Sequence, residues 1–224
     1  MKEVPSINEA LNQVIHHLDW ENIVEDRKGL LQSLIDFIQS RVNVGLSVDL
    51  TFICTHNSRR SHLAQVWAST AALYFNIPSV HCYSGGTEVT AVYPKILETL
   101  KDQGFSIGSL SEGGNAKYWL KAAGNSVPML LFSKEYDHLY NPSSAYGAIM
   151  TCSQADEGCP FIPGALKRIS ITYEDPKVSD GTDLQAQVYS ERSLQIAREM
   201  FYVFSNSRAY ATVFATCVNL CQPK

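Results

Sequence analysis

Val48-Asp49-Leu50-Thr51-Phe52-Ile53-Cys54-Thr55-His56-Asn57-Ser58-Arg59-Arg60-Ser61-His62-Leu63 passes from an apolar run through a polar loop into a helical pattern that continues with Val66, Trp67, Ala71 and Tyr74. The run from Val48 to Ile53 reads as a buried strand, and strand, loop and helix in that order open a βαβ unit. In such a loop successive backbone N–H groups turn inward and the helix N-terminus adds partial positive charge, which makes an anion cradle. Cys54 stands at the start of the loop, and the planar fork of Arg60 suits two oxygens of a tetrahedral oxyanion. The helix dipole and Arg60 both favour a thiolate at Cys54. Ser61 is placed to hydrogen-bond the sulfur and Asn57 to pin the loop. The residues describe a thiolate nucleophile facing an oxyanion held by Thr55, His56, Asn57, Ser58, Arg59, Arg60 and Ser61.

Outward from this unit the alternation continues. Val80 to Tyr83 is a predicted strand, Gly85-Gly86 a turn, and Tyr93 to Gln103 a helix with Pro94 in its first turn and Gly104 as its stop. Ala148 to Thr151 and Arg168 to Tyr173 supply two more strands, the second ending in Asp175-Pro176, and a helix is expected from Leu184 to Phe204. Strands alternating with helices predict an α/β fold of three layers with a central parallel four-stranded sheet. Residues 1–46 read as a separable helical extension. Ser6-x-x-Glu9 has the capping-box pattern, Leu11, Val14, Ile15 and Leu18 share a face, and Leu31, Leu34, Ile35 and Ile38 share another. Such helices pack on the main domain, residues 47–224, or join two copies as a homodimer. Residues 105–147 break the alternation and are expected to form an insertion with a hairpin, including a strand from Val127 to Phe132.

Composition narrows the classes. The 224 residues carry a net charge of −4 and are 45% hydrophobic, so a folded core is expected, and no Lys/Arg run points to nucleic acid or a membrane surface. No apolar stretch approaches bilayer length, and the start lacks an apolar export core, which leaves the cytoplasm as the expected compartment. There Cys54, Cys82, Cys152, Cys159, Cys217 and Cys221 are core thiols, metal ligands or reactive groups rather than structural disulfides. A metal site lacks support, because no second Cys/His pair has ligand spacing. Cys217 and Cys221 share a helical face and read as packing thiols, as Cys82 does in its strand. Cys152 and Cys159 lie seven residues apart. A helix would place them on one face but roughly 10 Å apart, too far for a disulfide unless the segment loops out.

Ile53-Cys54-Thr55-x-Asn57-Ser58-x-Arg60-Ser61 resembles the phosphate loop of the low-molecular-weight protein tyrosine phosphatases, and more closely that of their relatives, the thioredoxin-coupled arsenate reductases. Tyr83-Ser84-x-Gly86-x-Glu88 with Pro94-Lys95 is similar to the family's second strand and helix. Thr151-Cys152-Ser153-x-Ala155-Asp156-x-x-Cys159-Pro160 resembles the reductase's redox loop, and Asp175-Pro176 matches its acid loop. The resemblance implies that Cys54 attacks arsenate held by Arg60 and that Asp175 protonates the leaving oxygen. It further implies that Cys152 attacks Cys54 and that Cys159 then attacks Cys152, delivering a Cys152–Cys159 disulfide to thioredoxin without a metal or organic cofactor. The same first step on a phosphomonoester, completed by water, is a phosphatase, and an oxyanion-binding module is the non-enzymatic alternative. His56 departs from the family's usual Gly, a position where close backbone approach or positive φ is often required. Arg59 stands where relatives often carry a further Cys, and Lys177-Val178 replaces the aromatic pair that tyrosine phosphatases place after the acid.

Overall fold

A computed structural model describes residues 6–207 of the chain. Its centre is a four-stranded parallel sheet in the order β2-β1-β6-β7, formed by β1 (Val48–Cys54), β2 (Val80–Gly86), β6 (Tyr146–Met150) and β7 (Ala165–Ser170). β1 lies between β2 and β6, with Cys54 opposite Gly86 and Ile53 opposite Met150, so every residue of β1 but Asp49 is buried. A strand covered on both faces must be apolar on both, which is why Leu50, Phe52 and Ile53 follow one another so closely.

Side-chain alternation divides the interior in two. Leu50, Phe52, Ile149 and Ile169 point into a large core with α2 (Glu25–Val42), α3 (Arg60–Tyr74) and α6 (Gln185–Ser205). Ile53, Tyr146, Ala148 and Met150 point the other way, into a smaller core with Cys54, Cys152 and Ala155, the last on α5 (Ser153–Gly158). Leu11 and Ile15 of α1 (Glu9–His16) and Leu31, Leu34 and Ile38 of α2 are fully buried in the large core. The apolar stripes of the N-terminal helices are thus covered by the chain's own sheet and by α6. Trp67 is buried at the centre of this core and donates to Ser193 of α6 at 2.9 Å. Among the described residues no helix is long and apolar enough to cross a membrane.

Several local expectations are corrected. The Ser6–Glu9 capping box does not form. Asn8 is the N-cap, and its amide donates instead to Gly104 O at 3.2 Å, because Ile7 is drawn into a bridge with Ala123. Residues 105–147 form a three-stranded antiparallel sheet rather than one hairpin: β3 (Ser106–Ser109), β4 (Tyr118–Lys121) and β5 (Met129–Leu131). The loop after Thr151 contains α5. α4 (Pro94–Asp102) starts on its proline, as expected. Cys82 is only half-buried by its neighbours, although burial pushes its thiol up to about 12. Cys217 and Cys221 lie outside the described residues.

Gly85-Gly86 is not a turn but the end of β2. Both glycines are required by close approach. A Cβ on Gly85 would sit 2.4 Å from the Tyr136 backbone, and one on Gly86 would sit 2.7 Å from Thr55 O and 2.8 Å from Asn57 N. Gly86→Ala is therefore expected to destabilise the fold by about 1–3 kcal/mol through overpacking. Gly29→Ala, in a helix with open space around the added methyl, should stabilise it by about 0.5–1 kcal/mol. Urea unfolding of the two variants checks both signs.

Candidate active site

The turn out of β1 is held by Asn57, whose φ of 44° places it in the left-handed region that Asn tolerates better than most residues. The positive φ that the departure at His56 brought into question falls on Asn57 instead, so the His56 side chain is accommodated and lies 3.5 Å from the Glu88 carboxylate. Asn57 is fully buried and uses its whole amide. Its Oδ1 accepts from Lys134 N at 3.0 Å and its Nδ2 donates to Ser61 Oγ at 2.9 Å. With that donor on its oxygen, the Ser61 hydroxyl is left to donate to Cys54 Sγ, 3.1 Å away. The backbone N–H groups of Thr55, His56, Asn57, Ser58 and Arg59 have no partner among the described residues. Five consecutive unused donors beside a buried thiol and a helix start are an anion nest.

Arg60 is buried. Its Nη1 donates to Tyr173 O at 2.9 Å and its Nη2 to Asp175 Oδ2 at 2.5 Å, while its Nε is buried without a partner. Asp175 in turn caps the short 3₁₀ turn Pro176–Ser179 by accepting from Lys177 N at 3.0 Å. This aspartate is thus both a turn cap and a neighbour of the loop that follows Cys54. Cys54 and Asp175 line one small recess with His56, Ser58, Arg59 and Arg60. The Arg59 side chain, on the edge of the same recess, is held by other residues of the chain: it donates to Asp180 at 2.6 Å and to Tyr189 Oη at 2.6 Å and lies 3.9 Å from the Tyr93 ring centre.

The three candidate redox residues converge. Cys152 follows β6, whose continuation is tied to β1 by Thr151 N donating to Ile53 O at 2.7 Å. Its buried Sγ is 3.5 Å from Thr55 Oγ1 and accepts from Ala155 N at the start of α5. Cys54 and Cys152 share the smaller core, and Cys159 packs against it from the far end of α5. Asp156 pins that helix to β7 through Arg168 at 2.6 Å and Ser170 at 2.7 Å.

No family model matches the chain. Curated proteins do. An arsenate reductase of Staphylococcus haemolyticus is 28% identical over 134 residues, which cover 60% of this chain and 82% of that one. An arsenate reductase of Staphylococcus aureus is 27% identical over 135 residues with the same two coverages. The chain is thus similar in sequence to curated arsenate reductases. Solved structures that resemble it include an arsenate reductase in a phosphate-binding state, at 18% identity and TM-score 0.46, covering 72% of this chain and 99% of that one. A low-molecular-weight phosphotyrosine phosphatase of Vibrio cholerae resembles it at 13% identity and TM-score 0.47, covering 71% and 95%.

What the sequence did not single out is the floor beneath the loop. Residues 133–136 return from the insertion and lie beside the end of β2, where Gly86 N donates to Lys134 O at 2.8 Å and Tyr136 N to Gly86 O at 2.9 Å. Ser133 Oγ donates to His56 O, and the Lys134 ammonium reaches Ser84 Oγ and Phe132 O at 3.4 Å each. His62 Nε2 donates to Asn57 O at 2.8 Å, which leaves Nδ1 to accept from Ser84 Oγ at 3.1 Å. Burial, then the nearby Lys134 charge, lowers His62 to about 3, so it stays neutral. Lys134, 1% exposed and without a carboxylate partner among the described residues, is lowered to about 7 by burial. No periodicity marks a lysine of this kind. Its one signal is a charge set directly after the apolar run Met129–Phe132.

Lys134 generates a prediction with a definite sign. Between about pH 7 and its unfolded value of 10.5, the unfolded chain binds the extra proton, so folding stability rises with pH across that window. Below it, the folded protein carries the full penalty of a buried ammonium. Lys134→Met is expected to remove that rise, and urea unfolding of both proteins at pH 7 and pH 9 reads the difference. An unchanged pH slope in the variant would overturn the assignment.

Proposed function

We propose that this chain reduces arsenate by a relay of three cysteines. The observation that carries the reading is Cys152 beside the phosphate loop, its sulfur 3.5 Å from Thr55 Oγ1 and packed in the same small core as Cys54. A phosphatase needs no second thiol there. The homologous arsenate reductases support the same substrate.

Arsenate binds to the five free N–H groups, and its oxygens compete with Asp175 for the Arg60 fork. That exchange frees Asp175 Oδ2 to face the leaving oxygen. The Cys54 sulfur, with the Ser61 hydroxyl directed at it, displaces an oxygen from arsenic, and Asp175 supplies the proton with which that oxygen leaves as water. The Cys152 thiolate then attacks the Cys54 sulfur. The S–As bond breaks, its electron pair stays on arsenic, arsenite departs and a Cys54–Cys152 disulfide remains. Two thiols have supplied the two electrons. Attack of Cys159 on the Cys152 sulfur returns Cys54 as a thiolate and leaves a Cys152–Cys159 disulfide.

That last bond requires α5 to open, because six helical residues separate the two cysteines. The helix is short and mostly exposed on its outer side, and Asp156 supplies its clearest polar tether to β7. Unwinding would carry the disulfide outward to a dithiol reductant, for which thioredoxin in a reducing cytoplasm is the proposed partner. No step calls for a metal or an organic cofactor. The second reading, a phosphomonoesterase, uses Cys54, Arg60 and Asp175 alone, with water in place of Cys152.

Mass-spectrometric disulfide mapping after one arsenate turnover without reductant tests the relay. A Cys152–Cys159 bridge is expected in the wild type and a Cys54–Cys152 bridge in Cys159→Ser. Free thiols throughout, with hydrolysis of an aryl phosphate intact, would assign the site to the phosphatase instead. Asp175→Asn is expected to slow arsenate turnover about 100-fold or more, the usual contribution of a positioned acid, read as kcat in a coupled assay.

A further inference from the structure

The recess that holds Cys54 opens into a much larger cleft of about 860 Å³, which His56, Arg60 and Asp175 share with it. A tetrahedral oxyanion fills only the loop. A cleft of this size falls in the range of about 300–1,000 Å³ that holds a whole organic molecule. Arg192 and Gln195 of α6 and Lys177, two residues after Asp175, also line it.

Arg192 stands apart from the other arginines. Each other described arginine that is buried or half-buried donates to a carboxylate or to a backbone carbonyl. Arg27 is held by Glu199, Arg41 by Ser47 O, Arg59 by Asp180, Arg60 by Asp175 and Arg168 by Asp156. Arg192 donates only to the neutral amide oxygen of Gln195, and its Nε is buried without a partner. Such a buried donor, a feature Arg192 shares with Arg60 in the same cleft, is met in a folded protein by water or by a ligand. Burial lowers the Arg192 pKa; Glu174 nearby raises it and the Arg60 charge lowers it again, which places two guanidinium groups in one cleft. Lys177 is exposed on the same cleft and makes no ion pair among the described residues. Arg27, Arg60, Lys177 and Arg192 on this cleft outnumber the Glu174 and Asp175 carboxylates that also line it, and Arg192 and Lys177 make no ion pair among the described residues, so the field there attracts a second negative group.

We propose that Arg192, with Lys177, forms a second anion subsite, so that the cleft takes a small organic molecule carrying two anionic groups. One group, a phosphate or phosphonate, sits in the loop, and the other, a phosphate or carboxylate a few bonds away, pairs with the Arg192 fork. This rests on the reading of residues 54–61 as an oxyanion loop. It gives the site a ligand class that a bare oxyanion does not exploit, and it identifies Arg192 as the residue that discriminates between the two.

Calorimetric titration of the full chain with propylphosphonate and with propane-1,3-diylbisphosphonate tests the subsite, since neither ligand can be hydrolysed. The bisphosphonate is expected to bind about tenfold or more tightly, equivalent to about 1.4 kcal/mol. Arg192→Gln should abolish that preference while leaving the affinity for propylphosphonate within about twofold, and Arg192→Lys, which keeps the charge, should restore part of it. Equal affinities in the wild type, or a parallel loss of both ligands in Arg192→Gln, would overturn the subsite. If propylphosphonate and inorganic phosphate both fail to bind the wild type, the oxyanion loop itself is refuted, a result distinct from loss of the preference alone.

Discussion

The left-handed turn at Asn57 is the constraint on which the rest of the site depends. A loop that leaves five successive N–H groups unused cannot hold its shape through them, so that shape has to be imposed from outside. Asn57 does this with every polar atom of its side chain and with its carbonyl, bonding to Lys134, Ser61 and His62. The consequences run outward. Ser61 is turned toward the Cys54 sulfur, His62 is held neutral, Ser84 is fixed between His62 and Lys134, and Gly86 must lack a side chain so that the loop can lie against β2.

The parallel sheet contributes the second constraint. Because side chains alternate across a strand, Ile53 faces the smaller core while Phe52 faces the larger one. The small core is where Cys54 leaves β1 and where Cys152 leaves β6, one strand away. Two cysteines nearly a hundred residues apart are therefore neighbours through strand order alone. Cys159 joins them through α5, a helix too short to be stable by itself and held to β7 by Asp156 and by Arg168, which also donates to the Cys159 carbonyl. A rigid sheet end for the first two thiols and a weakly secured helix for the third suit a relay whose last step has to move.

The charge distribution around the loop has a related logic. Arg59 and Arg60 both find carboxylates, Asp180 and Asp175, and so tie the phosphate loop to the segment that follows β7. Lys134 lies beneath the loop without an acid and Arg192 beside the cleft without one. Arg59 and Arg60 are thus each paired with a carboxylate, while Lys134 and Arg192 have none among their hydrogen-bond partners.

Periodicity and local motif alone determined the four parallel strands, the N-terminal helices and the strand–loop–helix around Cys54, and they singled out the candidate nucleophile, the candidate anion loop and the candidate thiols. Those features are written in neighbouring residues, through alternation, helical spacing and the chemistry of a C-x5-R loop. Tertiary structure decided what depends on distant segments meeting. The turn at Gly85-Gly86 became a strand end because Tyr136 and the loop backbone press on it. The Ser6 cap gave way to Asn8 because Ile7 pairs with Ala123. Arg59 pairs with Asp180 and Tyr189, partners more than a hundred residues away. Lys134, in a segment that breaks the α/β pattern, became the floor of the site because the insertion returns to the edge of β2. Each of these rests on a contact between residues far apart in the chain, which no local pattern encodes.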